Sequence, residues 1–250
     1  MRNGTIYGKS FPKSEKSATL YGLTLYRGSR RDCEKALARL LEVEATQPAL
    51  VFTPNLELLA ASKQSAKLRT LLRSADLLLP DGIGTVLLSR GRIRTRFPGI
   101  EAGEFLLHLA ARRGYRVYLL GGKAGRAERA AARLKECYPA LHVVGTHHGY
   151  FPPHSAEEAE AFRRIRAADP ELLIVCMGFP RQERLLVRIR DQLPSLRVGM
   201  ALGGALDVWS GETRRAPRMM QRLGLEWLYR TAKEPERIHR LMRSLILLLK

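Results

Sequence analysis

Asp81, in Leu79-Pro80-Asp81-Gly82-Ile83-Gly84, has the residue type and setting most suited to chemistry. An acid between an apolar run and two glycines has little packing role. At the end of a buried strand it would face a ligand crevice and could take a proton from an attacking hydroxyl. Its side chain could equally cap the helix that follows. Thr53 and Asn55 flank Pro54 at the end of another apolar run; both types are polar enough for a site, and both cap helices well when a proline occupies the first turn.

Two further loops carry candidate binding groups. Gly121-Gly122-Lys123-Ala124-Gly125 precedes a helical stretch but lacks a Walker Lys followed by Ser or Thr, and lacks a complete GxGxxG, so neither ATP nor NAD is specified. Its glycines admit close approach and Lys123 adds charge, which suits a nucleotide diphosphate; a simple tight turn is the alternative. Gly178-Phe179-Pro180-Arg181-Gln182-Glu183 puts Gln182 and Glu183 in the first turn of a helix, in reach of a sugar or ribose hydroxyl. Glu183 would also favour the helix dipole with no ligand. Arg94 and Arg96, in GRIRTRFPG, could clamp a diphosphate or lie on a solvated loop.

Metal chemistry is not expected. His147, His148 and His154 lack partners at zinc-ligand spacing, and no DxD occurs in the chain. Cys33, Cys137 and Cys176 are far apart and read as buried or half-buried thiols without a disulfide framework.

The elements that must hold these groups are marked by short apolar runs at 49–53, 75–79, 115–120, 141–144, 171–177 and 196–202, with helical stretches at 55–72, 83–90, 101–113, 124–137, 156–168 and 181–192. Continuous apolar runs suit strands covered on both faces, with the helices as crossovers. The expected fold class is therefore α/β: a Rossmann-like core with a largely parallel sheet of about six strands flanked by helices, plus a C-terminal helical appendage. In such a sheet the four loops open on one edge, where helix N-termini present free N–H groups. A hairpin is expected around Tyr21 to Tyr26, a helix near 30–44, one helix from Pro217 to Arg230 and another from Pro235 onward. The division is residues 1–19 as a polar leader, 20–211 as the core and 212–250 as a basic amphipathic appendage.

The 250 residues carry a formal net charge of +19, concentrated at 1–31, 83–116 and 212–250, which implies an anionic partner. No apolar run is long enough to span a bilayer, and no secretory signal is evident. Arg230, Lys233, Arg237, Arg240 and Arg243 recur at helical spacing, opposed by a stripe of Ile238, Leu241, Met242, Leu245, Leu248 and Leu249; Arg214, Arg215, Arg218 and Arg222 form a second basic row. Such a helix can pack on the protein, or lie in a membrane interface with its arginines toward phosphates. A nucleic-acid-binding α/β protein using these helices is the competing class, although no recognised nucleic-acid motif is present.

TPNLELL at 53–59, LPDGIG at 79–84, LLGGKAG at 119–125, HGYF at 148–151, GFPRQE at 178–183, GGALDVWSG at 203–211, RAP at 215–217, GLEWLYR at 224–230 and EPER at 234–237, in that order, resemble the WecG/TagA/CpsF glycosyltransferase family. The resemblance covers about residues 20–243. It implies an inverting, metal-independent transfer of a hexose unit, N-acetylmannosamine the expected one, from a UDP-sugar to undecaprenyl-diphosphate-linked N-acetylglucosamine, with no cofactor. The setting would be the cytoplasmic face of a bacterial membrane, in teichoic-acid, common-antigen or capsule synthesis; an oligomer is left open. Asp81 then matches the catalytic base, Thr53 and Asn55 the polar groups beside it, and Arg96 the arginine of the family's RVTG segment, with Phe97 and Pro98 departing from it. Gln182 matches the glutamine of the PKQE motif, Arg181 replacing its lysine. Gly121, Gly122, Lys123, Gly125, Gly178, Gln182 and Glu183 form the expected donor site. Arg214, Arg215, Arg218, Arg222, Arg230, Arg237 and Arg240 are expected at the lipid diphosphate and membrane.

Overall fold

The computed structural model describes residues 16–43 and 46–249, the Arg237 side chain excepted. It begins with an antiparallel hairpin, β1 (Ser17–Leu20) and β2 (Leu23–Tyr26). Tyr21 and Gly22 both adopt positive φ, 49° and 76°, as a two-residue turn matched to strand twist requires. The hairpin thus starts at Ser17, inside the segment read as leader; residues 1–15 lie outside the described residues. Helix α1 (Arg30–Glu42) follows, opened by a reciprocal Ser29–Asp32 capping box.

The main sheet contains β3 (Ala49–Phe52), β4 (Leu77–Leu78), β5 (Arg116–Gly121), β6 (His142–His147), β7 (Leu172–Cys176) and β8 (Val198–Ala201). Its order is β4-β3-β8-β7-β5-β6 and every pairing is parallel. The connections carry α2 (Leu56–Gln64), α3 (Ala66–Arg73), α4 (Ile83–Leu88), α5 (Gly99–Arg113), α6 (Arg126–Cys137), α7 (Ala156–Ala168) and α8 (Arg181–Ile189), and α9 (Ala205–Trp209) follows β8. Every residue of β3, β7 and β8 is buried, and period-two alternation sends them into two cores. Val51, Ile174 and Met200 join Leu106, Leu107 and Trp209 on one face, while Phe52, Val175 and Ala201 join Leu59, Leu72, Ile165 and Leu186 on the other. The α/β, Rossmann-like fold read from the apolar runs is the fold observed.

Several boundaries differ for local reasons. The stretch 55–72 is two helices, because Ser65 turns extended (φ −129°) and its hydroxyl accepts from the Leu68 N–H, restarting the helix. Residues 75–76 are not strand: the Asp76 carboxylate accepts from the Leu50 N–H at 2.8 Å and pairs with Arg190 at 3.0 Å. Strand β6 runs on to His147. Cys137, at the end of α6, is exposed, whereas Cys33 and Cys176 are buried.

The appendage is three helices, α10 (Arg218–Leu223), α11 (Glu226–Lys233) and α12 (Arg237–Leu249). Gly224, left-handed at φ 75°, ends α10 where one helix to Arg230 was expected. Helix α12 packs along α2 with Ser244 and Leu248 buried. Its last carbonyls, which a helix end leaves without intrahelical partners, accept from the Lys63 ammonium (Leu247, 3.0 Å) and the Tyr21 hydroxyl (Leu248, 3.0 Å). The apolar stripe is therefore divided. Ile238, Leu241, Leu245 and Leu248 face inward, while Met242 and Leu249 stay exposed, as does Ile246 outside the stripe.

Candidate active site

The C-terminal ends of β3, β4 and β8 and the appendage enclose a cavity of about 410 Å³. Thr53, Asn55, Asp81 and Arg96, four groups from three loops, all line it. The β3–α2 turn is fixed because the Asn55 side chain accepts from the Leu58 N–H at 3.1 Å. The Asp81 loop is pinned on both flanks: its N–H donates to the Pro54 carbonyl at 3.2 Å, its carbonyl accepts from the Thr85 hydroxyl at 2.9 Å, and the neighbouring Pro80 carbonyl accepts from the Phe97 N–H at 2.9 Å. Gly82, at φ 78°, lets the chain turn into α4 immediately after the acid.

Asp81 is half-buried on the cavity wall. Burial pushes its carboxyl up to about 6, with Glu226 adding to the rise while Arg230, Arg96 and the Gly82 N–H oppose it. A carboxylate so poised is largely ionised near neutral pH yet basic enough to accept a proton. Arg96 reaches across the mouth of the loop to donate to the Gln221 carbonyl of α10, so the appendage is bonded to the core beside the acid.

Much of the remaining lining of the cavity is apolar. Leu56, Ile83, Leu88, Ile238, Leu241 and Leu245 line it, and at its rim Leu87, Trp227 and Met242 stand 70%, 43% and 48% exposed. Leu223, Leu228, Ile246 and Leu249 of the appendage helices are exposed as well, with Arg218, Arg222 and Arg240 exposed in the same helices.

The residues expected at the donor site lie along the ends of β5 and β7, outside this cavity. Gly121 is required by packing: a Cβ there would come within 2.2 Å of the Cys176 carbonyl oxygen. Gly122 and Gly125 take positive φ, Lys123 is exposed, and α6 starts at Arg126 with no side-chain cap on its first turn. Gln182 is buried and its amide oxygen accepts from three main-chain N–H groups, Met177 (3.3 Å), Gly178 (3.2 Å) and Gly203 (2.9 Å). It fastens the β7–α8 loop to the β8–α9 loop. Its amide nitrogen donates to Glu183 at 2.9 Å; burial pushes Glu183 up to about 7 against that bond, and Glu183 Oε2 is buried with no partner. Both side chains therefore sit beneath the loop surface rather than on it.

The basic residues of the appendage divide similarly. Arg230 lines the cavity with Asp81. Arg215 is turned inward, held by Glu101 at 2.7 Å and Glu226 at 3.3 Å. Arg214, Arg218, Arg222 and Arg240 are exposed, and the Arg237 side chain lies outside the described residues. Glu226 and Glu57 line the cavity and Asp207 pairs with Arg126, none of them singled out from the sequence. For Glu226 there was a signal: an acid in a basic segment, four residues before Arg230 in GLEWLYR. Among the described residues no three His, Cys, Asp or Glu side chains gather as a metal site, and no helix is long and apolar enough to cross a membrane. The family model described as "Glycosyl transferase WecG/TagA/CpsF family" matches residues 20–250.

Proposed function

This chain belongs to the WecG/TagA/CpsF glycosyltransferase family, and from that premise we propose that it moves a hexose unit, N-acetylmannosamine the first candidate, from a UDP-sugar to undecaprenyl-diphosphate-linked N-acetylglucosamine. The observation that carries this reading is the cavity lining: a poised carboxylate and two arginines share one wall with a run of apolar side chains, several of them exposed at the rim. That combination fits an acceptor with a sugar, a diphosphate and a hydrocarbon chain.

In the reaction, the Asp81 carboxylate accepts the proton of an acceptor sugar hydroxyl as that oxygen bonds to the anomeric carbon. The bond from that carbon to the phosphate oxygen breaks, its electron pair leaves with UDP, and the anomeric centre inverts. Arg96 and Arg230 stabilise diphosphate charge in a partly desolvated site. With arginines in these places, transfer needs no divalent ion; it should survive chelation, and loss restored by magnesium or manganese would overturn that part.

Exposed Leu87, Trp227, Met242 and Ile246, with Arg218, Arg222 and Arg240, support peripheral attachment to an anionic membrane, on its cytoplasmic face. They also weigh against a nucleic-acid partner. Of the second basic row, Arg215 is turned inward and held by Glu101 and Glu226. The test is a screen of UDP-sugars against a soluble undecaprenyl-diphosphate-GlcNAc analogue, reading product and anomeric configuration. Disaccharide with inverted configuration supports the reading; no transfer from any UDP-sugar, or retention, sinks it.

A further inference from the structure

We propose that Glu226 is a positioning residue for this reaction, the inner carboxylate of an ion-pair relay, Arg30–Glu101–Arg215–Glu226–Arg230, that holds the Arg230 guanidinium beside Asp81. The relay starts on α1, where Arg30 meets Glu101 of α5 at 2.6 Å. Glu101 meets Arg215 at 2.7 Å, Arg215 meets Glu226 at 3.3 Å, and Glu226 meets Arg230 at 3.3 Å. Its three middle side chains are well covered: Glu101, Arg215 and Glu226 are 17%, 16% and 12% exposed. In that setting ion pairs hold geometry, because a partner removed leaves a poorly solvated charge behind.

The arrangement explains why an acid sits in the reacting cavity of a basic appendage. A negative group beside Asp81 works against ionisation of the base, so Glu226 has a direct electrostatic cost there. Its two arginine partners supply the reason for keeping it. Glu226 Oε1 receives both Arg215 Nε and Arg230 Nη2, joining the cavity arginine to a side chain anchored in the core. Without it, Arg230 would keep a long, freely rotating side chain at the cavity mouth. Burial pushes Glu101 up, but its bonds to Arg30 and Arg215 outweigh that and hold it below the usual carboxylate range.

The assignment of a role in the reaction rests on Asp81 as the base, so the decisive measurement is one that needs no turnover. Among the described residues, the charged groups sharing the cavity with Asp81 are Glu57, Arg96, Glu226 and Arg230. Carbon-13 NMR would follow the Asp81 carboxyl through a pH titration in the wild type, Glu226→Gln, Arg230→Gln and the double variant. If Glu226 holds Arg230, Glu226→Gln raises the Asp81 pKa even though a negative neighbour has gone, because the larger positive influence of Arg230 goes with it. In the Arg230→Gln background the same change lowers the pKa, since only the direct field remains. A fall in both backgrounds overturns the proposal. In the transfer assay each single variant loses roughly 10- to 100-fold in kcat and the double loses no more, whereas independent roles multiply. Wild-type protein that titrates as described but transfers no sugar would retire the functional reading and leave the relay standing. Thermal melting of Glu226→Gln within a few degrees of wild type separates lost positioning from lost fold.

Discussion

The Tyr21 hydroxyl donates to the main-chain carbonyl of Leu248 at 3.0 Å, tying the turn of the first hairpin to the last turn of α12. Those residues are 227 positions apart. The contact belongs to a wider seat in which Leu248 is 4% exposed against the core, and Lys63 holds the preceding carbonyl. The appendage is thus a packed part of the protein, and the cavity wall depends on it.

Leu248→Ala should cost about 2–5 kcal/mol as a buried leucine truncation, and Tyr21→Phe about 1 kcal/mol as one lost hydrogen bond. Thermal unfolding measures both. If the two variants melt like wild type, α12 is not seated as described, and cavity closure by the appendage loses its support.

Asp81→Asn should lower turnover by roughly two to four orders of magnitude while UDP affinity stays near wild type. In wild-type enzyme the acid limb of kcat/KM should bend near the value to which burial raises Asp81, about 6, with activity lost below it as the base becomes protonated. Steady-state kinetics with calorimetry of UDP binding would decide; near-wild-type turnover in Asp81→Asn removes it as the base.

Glu183 gives a stability prediction with a definite sign. Its carboxyl is raised from 4.5 to about 7 by burial, so between those values the unfolded chain releases a proton that the folded protein keeps. The group's contribution to stability is therefore full below the lower value, declines as pH rises through the window, and is lost above the upper one. Glu183→Gln keeps an acceptor for Gln182 and removes the ionisation. Its melting temperature should exceed that of wild type at about pH 8 and match it at about pH 5. Equal shifts at both would show that Glu183 is solvated.

Liposome flotation tests the exposed rim. Leu87→Gln with Met242→Gln, or Arg218→Glu with Arg222→Glu and Arg240→Glu, should weaken binding to anionic vesicles, each basic group contributing about 1 kcal/mol near such a surface. UDP binding should be unaffected. Unchanged flotation by both sets would mean that this face meets something other than a membrane.

What the sequence by itself determined is the part governed by neighbours along the chain. Continuous apolar runs specify buried parallel strands, and glycine, proline and cap residues specify where loops leave them; these put Asp81, Thr53, Asn55 and Arg96 on one sheet edge, where all four line one cavity. Even there the sequence over-extended helices, because a single serine at position 65 or a left-handed Gly224 ends a helix by hydrogen bonding that periodicity does not register. Only the tertiary structure decided how polar side chains spend their hydrogen bonds. Gln182, legible as a ligand group in its loop, is consumed by N–H groups of two loops, one of them around residue 203. Arg215 and Arg230 look alike in the basic row, yet one is locked between Glu101 and Glu226 and the other faces Asp81. An arginine with one carboxylate partner and an arginine with two have the same sequence pattern. The difference lies in which carboxylate, a hundred residues away in the chain, is brought within about 3 Å by the fold.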